Sequence, residues 1–233
     1  GDLRELSPLP WQRVCALIYD VCSSIALLHS RRFVHRDISP LNVRCTRAGY
    51  AKLIDFGAAA PMGVAPHVVG TPAFIAPEAL SRGALDARAD LFSLGATAYY
   101  ALTGQPPFEA QHLSELNAAW SLTPYRPSQL VDDIPPALDE LVMSLISLDP
   151  AQRPRSTFEV MQRLSAIAEL SHTESHDVPQ AYLSAPSTVG RDRELGELRQ
   201  KLGAILAAGG GGSGGSATWI AAPSGGGRTH LMD

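Results

Sequence analysis

The sequence predicts a mainly α fold with short β-strands, followed by a truncated α/β segment, and three observations carry that reading. Apolar residues recur at intervals of three and four over long stretches of the first 170 residues. Brief β-type runs stand between the first two of those stretches. Half of the chain's 20 glycines lie from Gly203 onward, around one short apolar run. A chain of 233 residues with 45% hydrophobic residues has room for one full domain and part of a second.

From Leu9 to about Ser30, the residues Val14, Leu17, Ile18, Val21, Ile25 and Leu28 line one helix face, and Ser7 and Pro8 suit its start. Cys15 and Cys22 lie on a nearby face of the same helix as core residues. Phe33-Val34, Val43 to Thr46 and Tyr50 to Ile54 read as short strands, with Ala48-Gly49 as the turn between the last two. A second helix runs from about Asp86 to Thr103, carries Leu91, Leu94, Ala98 and Leu102, and stops at Gly104. Residues 105–134 hold Pro106-Pro107-Phe108 and a weakly helical stretch from His112 to Trp120. Pro135 to Leu148 reads as another helix, and Ser156 with Glu159 forms a capping box opening a last helix to about Leu170.

Residues 171–188 turn polar and proline-containing, which is the composition of a linker, and His172 and His176 are read as part of it. A helical run to Ala208, a glycine-rich loop and a short strand, Thr218 to Ala222, come next. Gly225, Gly226, Gly227, Arg228 and Thr229 then follow that strand. Strand, glycines, basic residue and hydroxyl is the order of a phosphate-binding loop.

The net charge is −4, from 19 basic and 23 acidic residues, and neither half of the chain hides a basic patch. That balance gives no reason to expect nucleic acid or an anionic membrane as partner. Cys15, Cys22 and Cys45 form no metal-ligand spacing and leave an odd count, so free thiols in a reducing compartment are expected. No apolar run is read as reaching the roughly 20 residues of a membrane span, and no signal-peptide pattern is found. The expectation is a soluble, cytoplasmic chain.

The chemistry centres on His35-Arg36-Asp37-Ile38-Ser39-Pro40-Leu41-Asn42 and on Asp55-Phe56-Gly57 at the end of the third short strand. Asp37, Asn42 and Asp55 supply one carboxylate, one amide and a second carboxylate. Transfer of a γ-phosphate needs a base near the attacking hydroxyl and hard oxygen ligands for Mg²⁺. This run resembles the catalytic and metal-binding loops of eukaryotic-type protein kinases, in the serine/threonine form found in bacteria. The resemblance continues in order through Gly70-Thr71-Pro72, Ala76-Pro77-Glu78, Asp90-Leu91-Phe92-Ser93-Leu94-Gly95 and Arg153. It covers residues 1–170 and matches the protein-kinase-like large, C-terminal lobe.

From the resemblance, ATP and Mg²⁺ would be the cofactors and Ser or Thr hydroxyls of proteins the acceptors. Asp37 would take the hydroxyl proton, Thr71 would steady Asp37, and Asn42 and Asp55 would hold Mg²⁺, with Gly57 beside the nucleotide. His35, Arg36, Phe56, Glu78, Asp90 and Arg153 would hold the lobe in shape. In that role Asp90 would accept N–H groups of the catalytic loop, Arg153 would pair with Glu78, and Arg36 would touch residues 58–78, which resemble the activation segment. The N-terminal lobe, with its glycine-rich lid, lysine and glutamate, would be missing, since the chain opens at Gly1-Asp2-Leu3. The expectation is therefore a fragment, inactive alone, of a longer kinase.

Two departures bear on activity. Between Gly57 and Thr71 there is no Ser, Thr or Tyr, which implies activation without loop phosphorylation. Ser39 stands where serine/threonine kinases carry a lysine, and Leu41 where tyrosine kinases carry an arginine. Loss of one preorganised charge of this sort costs on the order of 2.7–4 kcal/mol. Two readings stay open: a slow kinase, or a pseudokinase or nucleotide-binding regulatory module that controls an attached ATPase. The tail resembles the start of an AAA or STAND-type ATPase domain, but Ala222 replaces the first glycine of the phosphate loop and Arg228 its lysine. The broad fork of arginine fits that space less well than a compact ammonium. A working nucleotide site and a merely glycine-rich loop both stay open there.

Overall fold

The computed structural model describes residues 1–64, 67–81 and 83–170. The expected linker and the glycine-rich tail, with Gly225 to Thr229, lie outside them. In chain order the first elements are α1 (Leu3–Leu6), α2 (Trp11–Ser30), β1 (Phe33–Val34), β2 (Val43–Cys45) and β3 (Ala51–Leu53). Next come β4 (Ala60–Pro61), β5 (Gly63–Val64), α3 (Pro77–Leu80), β6 (Ala84–Leu85) and α4 (Ala87–Thr103). The described chain closes with α5 (Leu116–Trp120), α6 (Pro136–Leu145) and α7 (Thr157–Ala168).

The core is built on α2 because its apolar residues fall on one face. Val14, Leu17, Ile18, Val21 and Ile25 are buried there together with Cys15 and Cys22. That face packs on α7, on β3 and on α4. The helix starts at Trp11, two residues later than its periodicity suggests, because the Leu9 N–H donates to the Ala101 carbonyl at 2.8 Å instead. Ser7, expected to open α2, ends α1, where its hydroxyl donates to the Leu3 carbonyl at 2.7 Å. An 18-residue stretch of the 20-residue α2 reaches a mean hydropathy of 1.2, so by length and composition alone this helix could cross a membrane, which corrects the sequence expectation. Burial of its apolar face among other elements is the behaviour of a core helix.

Asp86 caps α4 by accepting the Arg88 N–H, and Gly104 closes its other end in the left-handed region (φ +78°). Gly95, midway along, lets α6 approach: a β-carbon there would lie 2.4 Å from Cβ of Leu145. The α6 helix ends at Leu145, three residues short of expectation, and the carbonyls of Ser147 and Leu148 turn to the Arg153 guanidinium. Ser156 caps α7 by accepting the Glu159 N–H, while the Glu159 carboxylate reaches back to the Arg155 N–H, one residue before the position a capping box uses. The stretch from His112 is a 3₁₀ turn followed by α5.

Among the described residues the strands pair in antiparallel twos: β1 with β4, β2 with β3, and β5 with β6. The pairing of β2 and β3 was legible; β4, β5 and β6, at two residues each, are too short to show alternation. The helices α2 and α4 lie antiparallel, so His29 near the end of α2 meets Asp90 near the start of α4. The loop carrying Asp37 leaves the chain at that same end.

Candidate active site

Asp90 organises the site from below. It is buried, and a buried carboxylate needs donors on its oxygens. The His35 N–H donates to it at 2.8 Å and the Arg36 N–H at 2.9 Å. These bonds hold Arg36 in the left-handed region (φ +71°), a conformation that costs on the order of 1–3 kcal/mol in a non-glycine residue. His29 supplies a third contact, its Nε2 at 2.8 Å from Oδ2. Sequence reasoning missed His29; the only signal was a basic residue in the last turn of a helix.

The loop then turns on itself. The His35 ring is buried, stands edge-on to Phe56 with centroids 5.0 Å apart, and accepts the Asp37 N–H on Nδ1. Burial pushes the His35 pKa below the ordinary imidazole value, against the opposing pull of Asp90, Asp37 and Asp55. A 3₁₀ turn over Pro40–Asn42 brings Asn42 back to Asp37, where Nδ2 donates to the carbonyl at 2.8 Å and to Oδ2 at 2.9 Å. The other carboxylate oxygen, Oδ1, accepts the Thr71 N–H at 3.0 Å and its hydroxyl at 2.9 Å. An ionised carboxylate has about four acceptor positions. Three are filled, and among the described residues one remains open.

Asp55 comes beside Asn42 because the Ile54 N–H donates to the Asn42 carbonyl at 2.9 Å. Asp55 is exposed and left-handed (φ +61°), with Oδ1 accepting the Gly57 N–H at 3.2 Å. Among the described residues nothing donates to Asn42 Oδ1 or to Asp55 Oδ2. One amide oxygen and one carboxylate oxygen are hard donors of the kind Mg²⁺ takes, so this pair fits that ion.

A second anchor fixes the segment that carries Thr71. Arg153 is buried and grips Glu78 with two bonds, at 2.6 and 3.0 Å. It also donates to the carbonyls of Arg88 and Ser147, each at 2.8 Å, and its guanidinium lies 4.9 Å from the Phe92 ring centroid.

A family model for the protein kinase domain matches residues 3–164. The chain belongs to the protein kinase family. The chain is 32% identical over 214 residues to serine/threonine-protein kinase PknL of Mycobacterium tuberculosis (strain ATCC 25618 / H37Rv), covering 87% of the chain and 52% of that protein. It is 35% identical over 201 residues to serine/threonine-protein kinase PksC of Streptomyces coelicolor, covering 81% and 36%. With serine/threonine-protein kinase PknB of Mycolicibacterium smegmatis the identity is 28% over 196 residues, covering 78% and 30%. The chain thus spans about half or less of the length of these curated relatives.

Two further positions of the kinase domain differ from a plain reading of its motifs. The Arg36 guanidinium, which in a phosphorylated loop would meet a phosphate, donates to the backbone carbonyls of Ala58 and His67. Ser39 is wholly buried, and its hydroxyl has no partner among the described residues.

Proposed function

We propose that the intact protein transfers the γ-phosphoryl group of ATP to Ser or Thr hydroxyls of other proteins. The observation that carries this reading is the Asp37 carboxylate, held on three sides by Thr71 and Asn42 with one acceptor position left. That position is where Asp37 would orient an acceptor hydroxyl and take its proton. Thr71 fixes the direction of the carboxylate, and Asn42 links it to the neighbouring Asp55. Asn42 and Asp55 are the residues that would hold Mg²⁺, whose contribution is to neutralise charge on the phosphates. Arg36, satisfied by carbonyls rather than by a phosphate, supports activity without loop phosphorylation. We further propose that residues 1–170 are the large lobe of this kinase and that it works in the cytoplasm, where the thiols of Cys15, Cys22 and Cys45 stay free. The tail, through Gly225 to Thr229, would open an attached AAA or STAND-type ATPase module of a signalling regulator.

The test is transfer from γ-labelled ATP to a general Ser/Thr protein substrate by the full-length protein beside its Asp37→Asn variant. We expect transfer that the variant lacks, at a rate unchanged when the enzyme is first treated with a phosphatase. Loss of activity on phosphatase treatment would overturn phosphorylation independence. Ser39 favours a second reading, because this buried side chain puts no charge near the transferring phosphate. A protein that binds nucleotide and transfers nothing would be a regulatory pseudokinase controlling the ATPase module.

A further inference from the structure

At the end of the fold opposite Asp37, the first turn of α2, the last turn of α4 and the loop before α6 enclose a cleft of about 260 Å³. Its apolar lining comes from Leu9, Trp11, Leu102, Val131 and Ile134. Leu102 and Ile134 are buried, whereas Leu9, Trp11 and Val131 are half-exposed, so the cleft is open to an occupant. The cleft is smaller than the roughly 300 Å³ at which pockets for whole drug-sized ligands begin. One or two bulky side chains fill such a volume; a nucleotide does not.

Charge decides what kind of segment carries those side chains. Asp132 and Asp133 also line the cleft, are exposed, and have no hydrogen-bond or ion-pair partner among the described residues. Among the described residues no lysine or arginine lines the cleft. The start of α2 faces it with no side-chain cap, and a helix N-terminus is equivalent to about half a positive charge. Two full carboxylate charges outweigh that half charge, so the rim is net negative and selects for cations.

We propose that this cleft is a docking site for a peptide segment of a partner protein in which a bulky aliphatic side chain is followed by Lys or Arg. The aliphatic group enters between Trp11, Leu102 and Ile134, and the basic side chains meet Asp132 and Asp133. The site is remote from the chemistry: α2 has 20 residues, about 30 Å of helix, and the Asp37 loop follows its far end. A partner held here leaves the active site open, which suits capture of a substrate protein or of a regulator.

The test is fluorescence anisotropy of a labelled, end-blocked hexapeptide carrying one leucine followed by two arginines, titrated with the 233-residue chain. Binding is expected, weakening with added salt. It should fall roughly tenfold for the Asp132→Asn, Asp133→Asn double variant, both of whose positions are exposed, and comparably for a peptide with alanine in place of leucine. Failure of the wild-type chain to bind the peptide would overturn the proposal, as would equal binding by the double variant. Binding that needs the leucine but tolerates glutamates in place of the arginines would overturn it too, and would leave a pocket for a small apolar ligand. The altered peptides probe the proposal independently of any effect of the substitutions on folding.

Discussion

Gly70 shows how closely the loop residues constrain one another. It adopts φ +121°, and a β-carbon there would come within 2.7 Å of the Arg36 carbonyl oxygen. Arg36 is itself pinned by Asp90, so it cannot yield without loosening the Asp37 loop. Gly70→Ala is expected to destabilise the fold by about 1–3 kcal/mol and to lower kcat more than it raises KM, since Thr71 next to it holds Asp37. Urea denaturation and steady-state kinetics of the full-length protein check both. Asp37, Asn42 and Asp55 were legible in the sequence because the runs that hold them resemble the catalytic and metal-binding loops of protein kinases. The Asn42-to-Asp37 bond was not, since it depends on a 3₁₀ turn that only the packed loop reveals. Nor was the seat of His29 on Asp90, two residues 61 positions apart in sequence that meet only through the alignment of α2 and α4.

At the scale of elements, the Arg153 pair joins the turn before α7 to α3, and its carbonyl contacts tie both to α4 and to the end of α6. Arg153→Met removes the cation and leaves Glu78 facing an apolar side chain, which typically costs about 3–5 kcal/mol. Arg153→Lys keeps the charge but not the two-pronged fork, so its midpoint should fall between those of Met and wild type; chemical denaturation of the three proteins checks the order. The long helices were legible because α2 repeats its apolar spacing over 20 residues and α4 announces its end with Gly104. The ribbons β1–β4 and β5–β6 were not, because their pairing is set by what the rest of the chain brings together. The seat of the Ser147 and Leu148 carbonyls on Arg153, just past the end of α6, is likewise a tertiary contact that local spacing does not encode.

For the molecule as a whole, the buried His35 makes stability depend on pH. Its folded pKa lies below the unfolded value of about 6.5, so the unfolded chain binds the extra proton first. Its contribution is complete above that value and is lost as pH falls below it toward the folded pKa. Thermal melts should show a lower Tm at pH 5.5 than at pH 7.5, with a smaller difference in a His35→Tyr variant that keeps a ring against Phe56. The sequence placed His35 among the residues shaping the lobe, yet its burial, which sets this pH response, could be read only from the packed core. The Glu78–Arg153 pair has a consequence in time as well as in energy. Its partners are 75 residues apart, and at 5–20 residues per second about 4–15 s of synthesis separate them. Until Arg153 leaves the ribosome, the segment bearing Thr71 has no clasp, and for those seconds the nascent chain is exposed to chaperones and proteases in a form the finished protein never shows.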